Sequence, residues 1–305
     1  MKKRDLYLAV MVFALAFLLP LFLKDSYFRH ILIMVFMWIV LGVAWNLLAG
    51  YTGQVSFGHA SFFGVGAYTA GIIFKHLGMS PWYGMVGGGL IAVLFAIPMG
   101  LVCFRLRGPY FALAMLALAE VLRLITTNWV GFTNGMVGIL IIPTFRSKLP
   151  YYYLIAALAL VSLLTVMRIA GSKLGYWFLA IREDQDAAES MGVPTTRYKM
   201  LSLCISAFFT GVAGSFYLNY MGFIDPSIVF SLPDISIMVI LVAIIGGVGT
   251  IWGPALGAFI MVVLSEIVRS NIGETHLLVM GVLVVAIIIF LPQGVTGWRL
   301  LRRRV

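Results

Sequence analysis

The chain is a succession of long apolar runs separated by short polar connections. The runs lie at about 6–23, 31–49, 52–74, 82–104, 110–127, 151–168, 200–220, 233–250, 253–268 and 276–292. Most of them approach the roughly 20 residues that an α-helix needs to cross a bilayer. The pattern therefore predicts an all-α integral membrane protein with about ten transmembrane helices. Eight or nine spans with a re-entrant segment is the alternative.

Composition and charge narrow the class of protein. A content of 62% hydrophobic and 10% charged residues excludes an ordinary soluble domain. A net charge of +10 is compatible with nucleic-acid binding, but the basic residues lie in short connections and at the ends. If the N-terminus is inside, 14 of the 21 basic residues fall on its side of the membrane, six on the other side, and Arg123 within a helix. The positive-inside rule then places both termini in the cytoplasm.

One stretch interrupts the apolar pattern with glycines and hydrogen-bonding side chains. It reads Gly50-Tyr51-Thr52-Gly53-Gln54-Val55-Ser56-Phe57-Gly58-His59-Ala60-Ser61-Phe62-Phe63-Gly64-Val65-Gly66-Ala67-Tyr68. Polar groups at membrane depth are costly unless they are partnered, so the stretch should face protein or a water-filled path. The candidate substrate-path residues are Gly50, Gly53, Gln54, Ser56, Gly58, His59 and Ser61. The alternative is a tightly packed helix after a turn, with the small-residue stripe Ser56, Ala60, Gly64, Ala67 and Gly71.

This stretch resembles the signature of the membrane permease subunits of branched-chain amino acid ABC importers, of the LivM type. The resemblance implies a single permease domain over residues 1–305 that forms the translocation path in the bacterial inner membrane. It also implies four kinds of partner: a second permease, which is either a homologue or a second copy, two ATP-binding cassette subunits, an extracytoplasmic substrate-binding protein, and membrane lipid. Relatives that handle urea, short amides or other amino acids carry similar stretches, so related small amino acids and amides remain alternative substrates.

A polar loop at about 169–199 is the second informative segment. Glu183, Asp184 and Asp186 suit the start of a helix, because the helix dipole favours negative charge there, and Gly192 suits its C-terminal cap. The loop resembles the coupling helix of ABC importers, in which Glu-Ala-Ala precedes Gly by three residues, with Asp in place of Glu. The predicted ATPase-coupling residues are Glu183, Asp184, Asp186, Ala187, Ala188, Glu189, Met191 and Gly192. A capped surface helix is the alternative.

Charges inside the spans are sparse. Glu120 and Arg123 stand three residues apart, where they can pair on one helix face. Their pairing favours a structural role over substrate contact. Asn46 is expected to hydrogen-bond across helices, and the isolated His59 to serve as a hydrogen-bonding group and not as a proton relay.

The chain contains none of the sequence motifs expected of an enzyme. It lacks a phosphate-binding loop of the Gly-x-x-x-x-Gly-Lys-Ser/Thr type and the common hydrolase motifs. We therefore expect a non-catalytic transport subunit with no cofactor or metal, and ATP used by a partner subunit.

Three further points stay open at this stage. An ion-coupled secondary transporter or channel is the main alternative function, with Glu120 as the candidate coupling carboxylate. A purely structural assembly subunit is the other. The glycines at 246–249 echo those at 50–53, which leaves open an internal repeat of the kind found in many transporters.

Overall fold

The structure is a computed structural model that describes residues 3–22, 25–272, 281–282, 285, 289 and 294–296. Most of the described chain is helical. The α-helices are α1 (Lys3–Phe22), α2 (Ser26–Asn46), α3 (His59–Leu77), α4 (Tyr83–Cys103), α5 (Pro109–Asn128), α6 (Val130–Thr133), α7 (Leu149–Ala170), α8 (Lys173–Glu183), α9 (Gln185–Ser190), α10 (Thr195–Met221), α11 (Pro226–Val229), α12 (Met238–Gly246) and α13 (Gly253–Ile272). Two π-helical turns, Leu47–Tyr51 and Leu232–Ile237, and a 3₁₀ turn, Gly135–Val137, complete the helical elements.

Seven helical segments of the described chain are long and apolar enough to cross a membrane. They are Ser26–Tyr51, Tyr83–Cys103, Pro109–Asn128, Leu149–Ala170, Thr195–Met221, Pro226–Gly246 and Gly253–Ser270. The integral membrane class is thereby confirmed, and nine of the ten predicted spans coincide with helices. Of these nine, α1 has a shorter apolar helix at Met11–Pro20, and α3 falls outside the seven. The tenth, 276–292, lies outside the continuously described residues, so the count of ten stays a prediction.

One predicted boundary is wrong. The sequence placed a span at 52–74, but residues 52–58 are irregular and α3 begins only at His59. Glycine in a helix interior is unfavourable, and Gly53 adopts a φ of +74° that an L-residue rarely takes. The helix therefore cannot start as early as the apolar pattern suggested.

Contacts divide the chain into two compact units. The first comprises Met1–Asn46, Ser147–Arg168 and Val239–Val305, and the second comprises Leu47–Arg146 and Ile169–Met238. This division could not be predicted from the sequence, because each unit is assembled from segments that are far apart in the chain. That the whole chain acts as one permease domain stays a prediction.

Within the first unit, α2 packs closely against α12 and α13. A Cβ added to Gly42 would lie 2.8 Å from Cγ1 of Val242 and 3.2 Å from Cβ of Pro254, so glycine permits the approach. The hydroxyl of Tyr152 on α7 donates a hydrogen bond of 2.6 Å to the carbonyl of Ala16 on α1. Close van der Waals packing and interhelical hydrogen bonds are the forces that join helices in lipid.

Within the second unit, α3, α4 and α10 form a core held together by small residues. The Ser215 hydroxyl on α10 lies 2.7 Å from the carbonyl oxygen of Gly66 on α3 and 2.8 Å from that of Gly84 on α4. Gly211 packs backbone to backbone against Gly66, which leaves no room for a side chain. The small residues of the glycine-rich stretch therefore serve close helix packing in this unit.

A short antiparallel strand pair also belongs to the second unit. Strand β1 (Ile139–Leu140) pairs with β2 (Phe223–Ile224), with Ile139 opposite Ile224 and Leu140 opposite Phe223. The prediction of an all-α fold missed these strands. Two residues are too few to show the alternation by which a strand is recognised in a sequence.

Candidate functional site

The glycine segment, residues 50–58, leaves α2 through a π-helical turn. The amide of Gly53 donates to the carbonyl of Ala49 (3.1 Å) and that of Gln54 to the carbonyl of Leu48 (3.1 Å). The left-handed conformation of Gly53 permits this chain reversal. The helix end is therefore satisfied by its own backbone, and the chain enters the irregular part of the segment without unpaired carbonyls at Leu48 and Ala49. Such π-turns are frequent at functional sites.

The predicted path residues divide into an accessible and an inaccessible group. Gly53 is exposed and Gln54 partly exposed, whereas Ser56, His59 and Ser61 have no exposed surface. Gly50 and Gly58 are also buried. In this structure the accessible part of the glycine segment comprises Gly53, Gln54 and Val55, and Phe57 is partly exposed.

Most of the inaccessible polar groups are partnered by protein, but among the described residues the buried Nδ1 of His59 has no hydrogen-bond partner. His59 Nε2 lies 2.8 Å from the Ser206 hydroxyl on α10, and the Ser61 hydroxyl donates to the Gly58 carbonyl (2.6 Å). The amide of Ala60 donates to the Ser236 hydroxyl (3.0 Å). Of these contacts, the one from Ala60 satisfies a backbone amide in the first turn of α3, where amides lack partners within the helix. The expectation that the polar side chains face protein is met at these positions.

The polar loop, residues 169–199, contains two helices joined at Asp184. The Asp184 side chain accepts hydrogen bonds from the amides of Asp186 (2.9 Å) and Ala187 (3.0 Å) and so caps α9. Glu183 is the last residue of α8, so it does not start the coupling helix as the sequence suggested. Gly192, with a φ of +83°, follows the end of α9. Asp184 is therefore both the C-cap of α8 and the N-cap of α9.

The predicted coupling residues in and next to α9 differ in exposure. Ala188 is 5% exposed and packs with Ile181 and Val193, whereas Ala187 is exposed and Met191 is 85% exposed. Ala187, Ala188 and Met191 are all among the residues predicted to couple to the ATPase. A six-residue helix shows too little periodicity to decide which of two adjacent alanines points inward.

Three polar contacts hold α9 against its neighbours. Arg107, in the α4–α5 connection, forms an ion pair of 2.8 Å with Asp186, and the buried Lys199 on α10 donates to Gln185. Thr195, at the start of α10, donates to Glu189. The hydrogen bond from Thr195, followed by that from Gln185, lowers the pKa of the Glu189 carboxyl below its usual value. Side chains of α9 therefore contact both α10 and the α4–α5 connection.

The polar loop also contacts the glycine segment directly. Arg182, in the last turn of α8, donates from Nη1 to the carbonyl oxygen of Gly50 at 2.7 Å. A Cβ added to Gly53 would lie 3.2 Å from the Cα of Arg182. The two segments that the sequence singled out, 132 residues apart at this contact, thus meet in one unit.

Comparison with known proteins identifies the family. Residues 27–288 match the family model described as branched-chain amino acid transport system / permease component. The chain belongs to this family.

The permease is similar to several curated proteins of the same kind. It is 29% identical to the high-affinity branched-chain amino acid transport system permease protein LivM of Salmonella typhimurium, with 96% of this chain and 75% of the relative covered. It is 30% identical to the LivM protein of Escherichia coli K12, covering 84% and 67%. It is 24% identical to the LivH permease protein of Salmonella typhimurium, covering 85% and 90%. No solved structure matches.

The sequence analysis did not single out Arg182, whose side chain connects the polar loop to the glycine segment. In the sequence analysis, Arg182 is one of the basic residues from which the membrane orientation is predicted. Its partner is the backbone carbonyl of Gly50, far away in the chain. Every residue has a backbone carbonyl, so the sequence cannot indicate which one Arg182 binds. The roles of the predicted path and coupling residues stay predictions.

The intramembrane pair Glu120 and Arg123 forms as predicted from its spacing. Nε and Nη2 of Arg123 donate to the two carboxylate oxygens of Glu120 at 2.9 and 2.5 Å. Within the described chain, no group of three or more His, Cys, Asp or Glu side chains is placed to hold a metal ion.

Proposed function

We propose that the chain is the permease subunit of an ATP-driven importer of branched-chain amino acids, namely leucine, isoleucine and valine, or of related small amino acids and amides. Family membership and similarity to both LivM and LivH support this proposal. The subunit would work with a second permease, two ATPases and an extracytoplasmic binding protein in the bacterial inner membrane, with both termini in the cytoplasm. It would catalyse no reaction itself, since ATP would be hydrolysed by the partner subunit.

The contact between the polar loop and the glycine segment carries the mechanistic part of the proposal. In an ATP-driven importer, the membrane subunit must convert motion of the ATPase into opening of the substrate path. The exposed Ala187 and Met191 on α9 offer a docking surface, and the Asp184 cap joins α9 to α8. Arg182 then connects α8 to the π-turn at Gly50. Displacement of α9 would thus reach the start of the glycine segment through a short chain of contacts.

The hydrogen bond of Arg182 is strong enough to matter for this transmission. A hydrogen bond to a charged donor contributes about 1.5–3 kcal/mol when buried, and less when the donor is exposed to water, as the Arg182 side chain is. We assign it about 1 kcal/mol, which corresponds to roughly a fivefold change in a conformational equilibrium. Arg182 is therefore expected to bias the path between its two states without being needed for folding.

The test compares Arg182→Gln with Arg197→Gln, an exposed arginine at the start of α10. The complex with its ATPase, partner permease and binding protein is placed in vesicles, and leucine uptake and ATP hydrolysis are measured together. Arg182→Gln should assemble and hydrolyse ATP, but carry about fivefold fewer leucine molecules per ATP than the wild type. Arg197→Gln should match the wild type. Equal transport per ATP in both variants would show that coupling does not pass through Arg182.

A further inference from the structure

Helix α5 carries its two charged residues on a surface that the described residues leave partly uncovered. The side chains of Glu120 and Arg123 are 49% and 30% exposed. Of the seven candidate spans in the described chain, α5 is the least buried, with 22% of its window inside the protein. The charged pair therefore lies at the outer surface of the chain, in contact with lipid, water or another protein.

The depth of the pair makes this exposure unusual. The helix has 20 residues, which gives a length of about 30 Å and matches the hydrocarbon thickness of a bilayer. Glu120 is its twelfth residue, roughly 2 Å beyond the midpoint. A short glutamate side chain cannot reach the interface from there. The longer Arg123 lies closer to the helix end, yet it folds back onto Glu120.

Neither lipid nor water suits this face. Charged side chains at membrane depth nearly always face other protein or a water-filled cavity, which argues against lipid as the neighbour. The exposed positions around the pair include Leu113, Ala117, Val121, Leu124 and Ile125, which follow the helical repeat along one side. An apolar stripe of this kind argues against a water-filled cavity. A protein surface that is apolar and supplies one polar partner fits both observations.

We propose that this face, Leu113, Ala117, Glu120, Val121, Arg123 and Leu124, is the contact surface for a second, homologous permease chain. The inference rests on the proposed function, in which two permeases share the membrane part of the importer. The similarity of this chain to both LivM and LivH, which are distinct permeases of one organism, favours a homologue over a second copy. The pair would provide a polar contact at the centre of an otherwise apolar interface.

Photo-crosslinking tests the assignment. The photoreactive amino acid p-benzoylphenylalanine replaces Leu124 or Leu113 on α5, one at a time. The matched control is Leu94 on α4, which is 61% exposed, much like Leu113 at the same 61%. The sequence of α4 contains no charged residue, so its exposed side should face lipid. The complete complex is irradiated in native membranes, and the products are identified by mass spectrometry.

The expected result is a crosslink from positions 113 and 124 to the homologous permease, and lipid adducts alone from position 94. Lipid adducts alone from positions 113 and 124 would overturn the proposal. Crosslinks between two copies of this chain would overturn the assignment to a homologue. Each sample is first assayed for ATP-driven leucine uptake before irradiation. An active complex without the α5 crosslink refutes the interface and leaves the proposed function intact, whereas a wild-type complex without uptake refutes the proposed function.

Discussion

Replacing Gly64 by alanine should destabilise the second unit because a buried aromatic ring occupies the space beside it. A Cβ at Gly64 would lie 2.6 Å from the Cε1 and Cζ atoms of Phe230, which is 4% exposed. The Phe230 ring also packs against Tyr68, with the ring centroids 6.0 Å apart. The ring would have to retreat by about 1 Å in a filled environment, and overpacking of this kind costs about 1–3 kcal/mol.

Gly87→Ala provides the matched control. A Cβ at Gly87, in the interior of α4, would meet only Cδ1 of Ile73 at 3.7 Å, which is an ordinary contact. Both substitutions gain up to about 1 kcal/mol from the higher helix propensity of alanine, so this gain cancels in the comparison. The two variants should differ in free energy of unfolding by about 1–3 kcal/mol, with Gly64→Ala the less stable.

The assay is unfolding of the purified protein by SDS in mixed micelles, followed by circular dichroism. A second variant tests the cause: in a Phe230→Leu background, Gly64→Ala should lose most of its effect, because the smaller side chain can move aside. Two results would contradict this explanation: a Gly64→Ala variant as stable as Gly87→Ala, or a destabilisation by Gly64→Ala that is unchanged in the Phe230→Leu background. Either would show that packing against Phe230 does not determine the cost of a side chain at position 64.

Three further predictions concern the polar loop and the junction after α12. Ala187→Glu should leave the protein in the membrane in normal amount but prevent co-purification with the ATPase, whereas Ala188→Glu should reduce the folded protein itself, because Ala188 is buried. Asn46→Ala should lower the free energy of unfolding by about 1–3 kcal/mol in an SDS titration, because it removes a donor to Thr250 O (2.8 Å) and an acceptor for Gly249 N (2.7 Å). The pKa of Glu189 is lowered in the folded protein, so its stabilising contribution should be present above the ordinary carboxyl pKa of about 4.3 and be lost as the pH falls through the lower folded value. Glu189→Gln should therefore show less acid destabilisation than the wild type in thermal unfolding.

Each of these predictions has a clear negative outcome. Normal ATPase binding by Ala187→Glu would remove α9 from the docking surface. An unchanged SDS midpoint for Asn46→Ala would mean that water or a shifted backbone replaces its two hydrogen bonds. Equal acid sensitivity of Glu189→Gln and the wild type would show that the contact with Thr195 does not contribute to stability.

The sequence predicted the helices well because the bilayer imposes their length and polarity. It also predicted that Gly192 lies at the C-terminal end of the helix, just after α9 and its C-cap Met191, and that Glu120 pairs with Arg123, since both features depend on residues close together in the chain. Local spacing and the cost of burying a polar group were sufficient for these features. Asn46 was expected to bond across helices, but it bonds to the backbone of Gly249 and Thr250 in the turn between α12 and α13.

The arrangement of the candidate site could not be predicted from the sequence, because it depends on the packing of distant segments. The contact between Arg182 and Gly50 depends on how α8 packs beside the π-turn, and packing of distant segments leaves no local pattern. The inward direction of Ala188 depends on Ile181 and Val193, which lie on either side of α9 in the chain. The apolar pattern likewise did not predict that the segment before α3 is irregular. The irregular conformation is determined by the glycines of the segment and by its hydrogen bonds to the backbone.

ATP-driven uptake in reconstituted vesicles tests the central claim most directly. The permease is reconstituted with its partner permease, the ATPases and the binding protein. Accumulation of radiolabelled leucine is then followed with and without ATP on the side of the membrane that carries the ATPases. The proposed function predicts accumulation that requires ATP and stops when the ATPase subunits are omitted. Accumulation that persists without the ATPases, or that follows an ion gradient instead of ATP, would contradict it.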